Sequence, residues 1–128
     1  MIDASVVVAA VADSGPTGAW AERVVRSGPL VAPHLMLVEV TNILRRLETA
    51  GRLTSFESTA AVRDLVRLDV ELVPFHPFAD RVWELRKNLT SYDAWYVAVA
   101  EALGLRLATL DRRLARATGP ACRFLVPP

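Results

Sequence analysis

The sequence has little cysteine and no long apolar segment, and both absences narrow its cellular setting. Cys122 is the one cysteine, so neither an intramolecular disulfide nor a zinc site built from several cysteines can form. The longest uncharged apolar run, Ala4 to Ala12, is far shorter than the roughly 20 residues of a membrane-spanning helix. The first residues also lack the basic and apolar regions of a signal peptide. We therefore expect a cytoplasmic protein that does not enter the membrane.

Lysine is also scarce, and the net charge of the chain is close to zero. Lys87 is the one lysine among 15 basic residues, and the net charge is +1. A protein that holds nucleic acid by charge alone would be more basic, so any such contact should be local. Arginine forks grip phosphates with two parallel hydrogen bonds, although a bias in genome base composition also enriches arginine. The charge composition therefore neither requires nor excludes RNA binding.

Strand and helix patterns alternate along the chain without repeats or linkers, which predicts a single domain over residues 1–128. Short segments rich in Val and Leu predict four buried strands: Leu30 to Ala32, Val70 to Val73, Leu105 to Thr109 and Arg123 to Val126. Apolar periodicity predicts four clear helices and three shorter ones: Leu35 to Ala50, Ser55 to Leu68, Pro77 to Asn88 and Ser91 to Leu103, then Ser5 to Ala12, Gly18 to Arg26 and Arg112 to Ala117. Because parallel strands need crossover connections, this order predicts an α/β fold with a mainly parallel central sheet flanked by helices.

Glu39 has no cationic neighbour on its own predicted helix. The residues three and four positions away are uncharged: Leu35, Met36, Asn42 and Ile43. A carboxylate on so apolar a surface loses hydration unless something outside the helix binds it. The alternative is that Glu39 reaches solvent or pairs with a distant arginine such as Arg46. We treat Glu39 as a candidate ligand.

Three aspartates lie at predicted junctions between strands and helices, where an α/β sheet presents its active site. Asp3 precedes the first helix, and Asp111 follows a strand. Asp93 lies near a helix start that Thr90 or Ser91 can cap, and the helix dipole there favours the charged carboxylate that a metal ligand needs. Each also has a plainer interpretation, since Asp93 can be an ordinary first-turn aspartate and Asp111 a helix cap.

If these four acids converge, their mutual repulsion requires a cation. Two unit charges about 4 Å apart repel by roughly 4 kcal/mol at an effective dielectric of about 20. Ligands that are all oxygen suit Mg²⁺ or Mn²⁺ better than zinc. The implied reaction is phosphodiester hydrolysis, in which one or two metal ions orient and deprotonate the attacking water.

The order of these motifs resembles that of the PIN-domain VapC toxins along nearly the whole chain. The fragments are Asp3-Ala4-Ser5, Glu39-Val40-Thr41-Asn42, Tyr92-Asp93-Ala94 and Thr109-Leu110-Asp111-Arg112-Arg113-Leu114. The resemblance implies a three-layer PIN fold and a Mg²⁺-dependent endoribonuclease, with Mn²⁺ as a substitute, that acts as the toxin of a type II toxin-antitoxin system. It also implies inhibition by a cognate VapB-type antitoxin, and a homodimer.

Carried over residue by residue, the resemblance assigns the catalytic and metal-binding acids to Asp3, Glu39, Asp93 and Asp111. It assigns supporting hydrogen bonds to Asn42 and Thr109 and, more weakly, to Ser5. Only two residues precede Asp3, so the first strand is very short or the start of the chain is clipped. Arg113 stands where some relatives carry a further acid, which implies one firmly held metal rather than two.

Arginine and aromatic side chains are candidates for RNA binding. Arg46, Arg112 and Arg113 would flank the acids and hold RNA phosphates, unless they only cover solvated helix surfaces. Several aromatic residues could stack on unpaired bases, although their helical spacing favours a core or interface role: Trp20, Trp83, Trp95 and Tyr96. The resemblance further suggests that the apolar first helices, with Val6 to Val11 and Trp20 to Val25, form a groove for the antitoxin.

The remaining alternative is a catalytically silent PIN-like module that acts only through protein partners. The presence of all four acids argues against it, since a pure scaffold has no need of uncompensated carboxylates. Metal uptake and RNA cleavage distinguish the two hypotheses.

Overall fold

The computed structural model describes residues 1–128 and contains six helices and four short strands in the alternating order expected. The elements are α1 (Ala4–Ala12), α2 (Pro16–Val25), β1 (Leu30–Pro33), α3 (Leu35–Thr49), α4 (Ser55–Arg67), β2 (Val70–Val73), α5 (Ala79–Glu84), α6 (Ser91–Leu103), β3 (Leu107–Ala108) and β4 (Phe124–Leu125). Single 3₁₀ turns occur at His76–Phe78, Leu85–Lys87 and Leu114–Arg116.

All strand contacts are parallel, and the first residues of the chain join two separate ladders. β1 pairs with β2, and β3 pairs with β4. Between them, Ile2 forms a parallel bridge with Ala108 and donates its N–H to the Val31 carbonyl at 3.2 Å. The spatial order is therefore β2, β1, the chain start, β3 and β4, which confirms the mainly parallel sheet. The first strand is as short as the two residues before Asp3 imply.

Helices form two groups around this sheet, as the three-layer prediction requires. Helices α1 to α4 contact one another, whereas α5 packs on α6, which in turn lies against β1 and β3. One core cluster of 24 buried residues draws side chains from both groups. No helix has the length and apolar character needed to cross a lipid bilayer.

Two predicted helices are shorter in the structure than the sequence suggests. The segment predicted as a helix from Pro77 to Asn88 contains only six α-helical residues, in α5, between two 3₁₀ turns. The segment from Arg112 to Ala117 forms a single 3₁₀ turn, because Gly119 and Pro120 follow closely and stop further winding. The other predicted elements agree with the structure to within two residues at each end.

Gly18 marks a close approach between α2 and the end of α1. A Cβ atom at this position would lie 1.7 Å from the carbonyl oxygen of Asp13. The Asp13 carboxylate also accepts hydrogen bonds from the N–H groups of Gly15 at 2.7 Å and Gly18 at 3.1 Å. Position 18 therefore has to be glycine if α2 is to pack on α1 in this way.

We expect Gly18→Ala to lower the free energy of unfolding by about 1–3 kcal/mol, because the backbone must move to admit the methyl group. At an unhindered helix position the same change would stabilise the protein by up to about 1 kcal/mol, so the sign of the effect is diagnostic. Urea denaturation measures it, with Ser14→Ala in the loop before α2 as the control. A stabilised Gly18→Ala variant would contradict the close approach.

Candidate active site

Asp3 lies where the first strand becomes α1, and its carboxylate is almost fully buried, with 7% of the residue exposed. Oδ1 accepts hydrogen bonds from the Ser5 N–H at 2.9 Å, the Val6 N–H at 3.2 Å and the Ser5 hydroxyl at 2.5 Å. Oδ2 accepts a hydrogen bond from the Thr109 hydroxyl. Burial raises the pKa of Asp3, whereas these hydrogen bonds lower it. The carboxylate is thus held in one orientation at the carboxyl end of the sheet.

Ser5 and Thr109, both predicted to support the site, connect the start of α1 to the end of β3. The Ser5 hydroxyl accepts a hydrogen bond from the N–H of Leu110 at 3.0 Å. The Thr109 hydroxyl, which is fully buried, accepts one from the N–H of Asp111 at 3.0 Å. Both hydroxyls therefore donate to Asp3 while accepting from the chain that carries Asp111.

Asp111 follows β3 and does act as a cap, which was the plainer of its two interpretations. Its Oδ1 accepts hydrogen bonds from the N–H groups of Arg113 at 2.7 Å and Leu114 at 3.2 Å, at the start of the 3₁₀ turn. The Arg113 side chain is 96% exposed, and its Nε lies 3.7 Å from the same oxygen, so this ion pair is weak. Capping uses only Oδ1 and leaves Oδ2 available to a ligand.

Asp93 occupies the first turn of α6, and Thr90 caps this helix by accepting a hydrogen bond from the Asp93 N–H at 3.3 Å. Burial raises the pKa of the Asp93 carboxyl, and the Thr90 hydroxyl lowers it. The charge of Asp111 raises the same pKa, and that of Arg113 lowers it. Asp93 and Asp111 are therefore close enough to repel each other.

Glu39 projects from α3 towards the same region and is not paired with Arg46. Its Oε1 is buried without any hydrogen-bond partner, and its Oε2 accepts a hydrogen bond from the Tyr96 hydroxyl at 3.4 Å. Burial and the charge of Asp93 raise the pKa of Glu39 to about 7, with a further contribution from Asp3. A buried acceptor without a partner is costly, and its position among other carboxylates suits a cation.

Tyr96 is the residue of this site that sequence reasoning assigned elsewhere, to base stacking or the core. It is buried on α6, three residues after Asp93, and donates to Glu39. Burial and the charge of Glu39 both raise the pKa of Tyr96, so its hydroxyl stays a proton donor. The available signal was that a buried tyrosine hydroxyl needs a partner, and Asp93 lies on the same helical face.

The other predicted site residues lie at the edge of the acids. Asn42, one turn after Glu39, accepts hydrogen bonds from Nε and Nη2 of Arg45, both at 3.1 Å, rather than contacting a carboxylate. Arg46 is exposed and lines a cleft together with Glu39. Arg112 is also exposed, directly after Asp111. Phosphate binding by these arginines stays a prediction.

The donor set fits a hard divalent cation held in an open site. Charge repulsion connects the four carboxylates. Asp93 and Asp3 raise the pKa of Glu39, and Asp111 raises the pKa of Asp93. No three of them come close enough together to form a closed metal site. Mg²⁺ commonly uses one or two carboxylates and fills its octahedron with waters and substrate phosphate. The unpartnered Oε1 of Glu39 and the free Oδ2 of Asp111 are suitable oxygen donors.

We expect Thr109→Val to lower the free energy of unfolding by about 1–3 kcal/mol, because it leaves a buried Asp3 oxygen and the Asp111 N–H without a partner. Thr109→Ser keeps the hydroxyl and should recover most of this loss. Thr41→Val is the matched control, since the Thr41 hydroxyl is exposed and bonds only to its own helix. Equal stability of the Val and Ser variants at position 109 would refute the role given to this hydroxyl.

Comparisons of the sequence with known proteins identify its relatives. The sequence matches the PIN domain family over residues 1–120. It is 37% identical to the VapC ribonuclease Mb0985 of Mycobacterium bovis over 128 residues, which cover 100% of this chain and 98% of that protein. It is also 37% identical to ribonuclease VapC1 of Mycobacterium tuberculosis over 125 residues, or 97% of this chain and 94% of that protein. The chain therefore belongs to the PIN-domain family and, within it, to the VapC ribonuclease group.

Two solved structures share the fold at low sequence identity. PAE2754 from Pyrobaculum aerophilum aligns with a TM-score of 0.67 and 22% identity, covering 96% of this chain and 81% of that one. VapC20 of Mycobacterium tuberculosis, described as a sarcin-ricin loop cleaving toxin, aligns with a TM-score of 0.63 and 18% identity, covering 83% of this chain and 85% of that one. These likenesses confirm the three-layer α/β architecture.

Proposed function

We propose that this protein is the toxin of a type II toxin-antitoxin system and acts as a Mg²⁺-dependent endoribonuclease. The observation that carries the proposal is the buried, unpartnered Oε1 of Glu39 beside repelling carboxylates. Relatives that are 37% identical along nearly the whole chain are VapC ribonucleases, which supports RNA as the substrate. A single domain over residues 1–128 and a cytoplasmic location, both expected from the sequence composition, belong to the same proposal, as does the homodimer that the resemblance to those toxins implies.

The four acids would surround the metal ion, one or two binding it directly and the others through its waters: Asp3, Glu39, Asp93 and Asp111. A bound Mg²⁺ or Mn²⁺ supplies Lewis acidity, which makes a water nucleophilic near neutral pH and neutralises charge on the phosphate. Asp3 is fixed by four hydrogen bonds, so its carboxylate needs little reorganisation when a cation binds. The Tyr96 hydroxyl orients Glu39 from behind and leaves Oε1 directed to the ligand.

The exposed arginines around the acids would hold the RNA backbone. Arg112 and Arg113 follow Asp111 at the end of β3, and Arg46 lies one α3 turn beyond Asn42. Their forks can bind phosphate oxygens on either side of the bond that is cleaved. Such local contacts are compatible with a net charge of only +1.

We expect the purified protein, freed of antitoxin, to cut RNA at discrete positions in Mg²⁺ or Mn²⁺ and not in EDTA. Asp93→Asn should lower the cleavage rate by roughly a hundredfold or more, because it removes a carboxylate from the metal site. Asp80→Asn is the matched control, since Asp80 is an exposed first-turn aspartate of α5. Total RNA and gel electrophoresis suffice for the measurement.

Thermal denaturation with and without Mn²⁺ separates metal binding from cleavage in the same samples. The wild type should be stabilised by about 2.7 kcal/mol at a hundredfold excess of metal over its Kd, and Asp93→Asn should show a smaller shift. No stabilisation and no cleavage by the folded wild type would instead favour the catalytically silent binding module.

We further propose that the antitoxin binds along the α1 groove, defined as the depression lined by Val8, Ala9, Ala12 and Leu53. It consists of two adjoining cavities of about 450 and 300 Å³, and one end reaches Ser5 beside Asp3. Four acids line the larger cavity, and Arg52 lines the smaller one: the acids are Asp13, Glu22, Glu57 and Asp64. An apolar floor with an acidic rim suits an amphipathic segment with basic residues.

We expect the double variant Glu22→Lys and Asp64→Lys to weaken inhibition by the cognate antitoxin by about tenfold or more, because like charges would then face each other. RNA cleavage by the free toxin should not change, since both positions lie outside the acid site. Asp69→Lys with Glu71→Lys reverses two other exposed acids and is the control. Inhibition constants that match the wild type would place the antitoxin elsewhere.

A further inference from the structure

A cleft of about 650 Å³ opens between α3 and the start of α6, directly beside the acids. Glu39 forms one wall, and Tyr92 forms the opposite one. We call it the Tyr92 cleft. Its volume falls within the range of sites that bind small molecules or single nucleotides. Since Glu39 lines it, the cleft borders the proposed metal site.

Tyr92 is an aromatic side chain that the fold leaves open to a ligand. It is 61% exposed, and its ring borders an acid of the site. Among the aromatic residues first considered for stacking, Trp20 and Tyr96 are buried, and Trp95 packs edge-to-face against Phe75 with ring centroids 5.2 Å apart.

Trp83 is more exposed than Tyr92, but one of its faces is already covered. The Arg86 guanidinium lies 4.5 Å from the Trp83 ring centroid. Trp83 also lies on α5 and does not line the cleft that contains Glu39. Tyr92 therefore combines exposure, an open cleft and adjacency to the acids.

We propose that the Tyr92 cleft binds an unpaired base of the RNA substrate, stacked on the Tyr92 ring, with Arg46 bound to the neighbouring phosphate. The inference rests on the proposed ribonuclease function and names the part of the substrate recognised there. Base stacking on aromatic side chains is a common way of binding single-stranded RNA. Glu39 of the proposed metal site lines the same cleft, so this base would belong to a nucleotide close to the bond that is cleaved.

The remaining walls of the cleft match the two chemical features of a base. Leu35, Val38 and Ile43 provide an apolar surface for a flat ring, and Val38 is 65% exposed. Asn42 supplies the polar group at the edge. Arg45 donates to the Oδ1 atom of Asn42, so the amide nitrogen of Asn42 is the group left to donate a hydrogen bond. This favours a base that presents an acceptor to Asn42.

The test is the affinity for a short fluorescein-labelled single-stranded RNA of random sequence, measured by anisotropy in EDTA so that no cleavage occurs. We expect Tyr92→Ala to weaken binding by about 5- to 150-fold, the range measured for loss of one stacked base. Tyr92→Phe keeps the ring and should bind like the wild type. Trp83→Ala removes an exposed aromatic outside the cleft and should also bind like the wild type.

Two further measurements make the outcomes decisive. In Mg²⁺, Tyr92→Ala should raise KM more than it lowers kcat. Its molar mass from light scattering should equal that of the wild type. If the wild type cleaves RNA and Tyr92→Ala binds RNA as tightly as the wild type, this inference alone is overturned. A fall in molar mass would identify Tyr92 as part of an interface between copies and also overturn it. A folded wild type that neither binds nor cuts RNA would overturn the proposed function itself.

Discussion

The buried Asp3 carboxylate is the interaction on which the rest of the site depends. It caps α1 through the N–H groups of Ser5 and Val6, and it accepts a hydrogen bond from Thr109 at the end of β3. These bonds join the start of the chain, the first helix and the end of β3, which precedes Asp111, at one point. Burying a carboxylate costs free energy unless hydrogen bonds replace its hydration. One ionisable group therefore both links the start of α1 to the end of β3 and orients one wall of the candidate active site.

Beyond Asp3, the same region accumulates charge that the protein does not neutralise. Glu39 has a pKa raised to about 7 by burial and by Asp93, and no cation from the chain lies against its unpartnered oxygen. By contrast, the half-buried Glu101 of α6 is bound by the Arg81 fork at 2.7 and 3.1 Å. The chain can thus pair an acid where structure alone requires it. A metal site requires unpaired acids such as Glu39 beside other acids, whereas a pure scaffold does not require them.

Most of the architecture could be predicted because helix and strand periods are strong and their ends carry clear signals, such as Thr90 before α6 and Gly104 after it. Three of the four candidate acids could be singled out because they occur at junctions that an α/β sheet brings to one edge, and Glu39 because no cation neighbours it on α3. Tyr96 could not be assigned, since helical periodicity shows that a residue is buried but not which distant group its hydroxyl meets. The interruption of α5 was missed for a related reason, since its 3₁₀ turns reflect tertiary packing that local propensity does not encode.

The distribution of charge explains how a nearly neutral protein can act on RNA. Carboxylates repel phosphate, so the acidic centre weakens contact with the RNA backbone unless a cation lies between them. The basic groups placed to help are peripheral and exposed, such as Arg46 and Arg113, where water screens them and each contributes little. Affinity must then come partly from contacts that do not depend on charge. The open cleft beside Glu39, with an aromatic ring on one side and apolar α3 side chains on the other, offers that kind of contact.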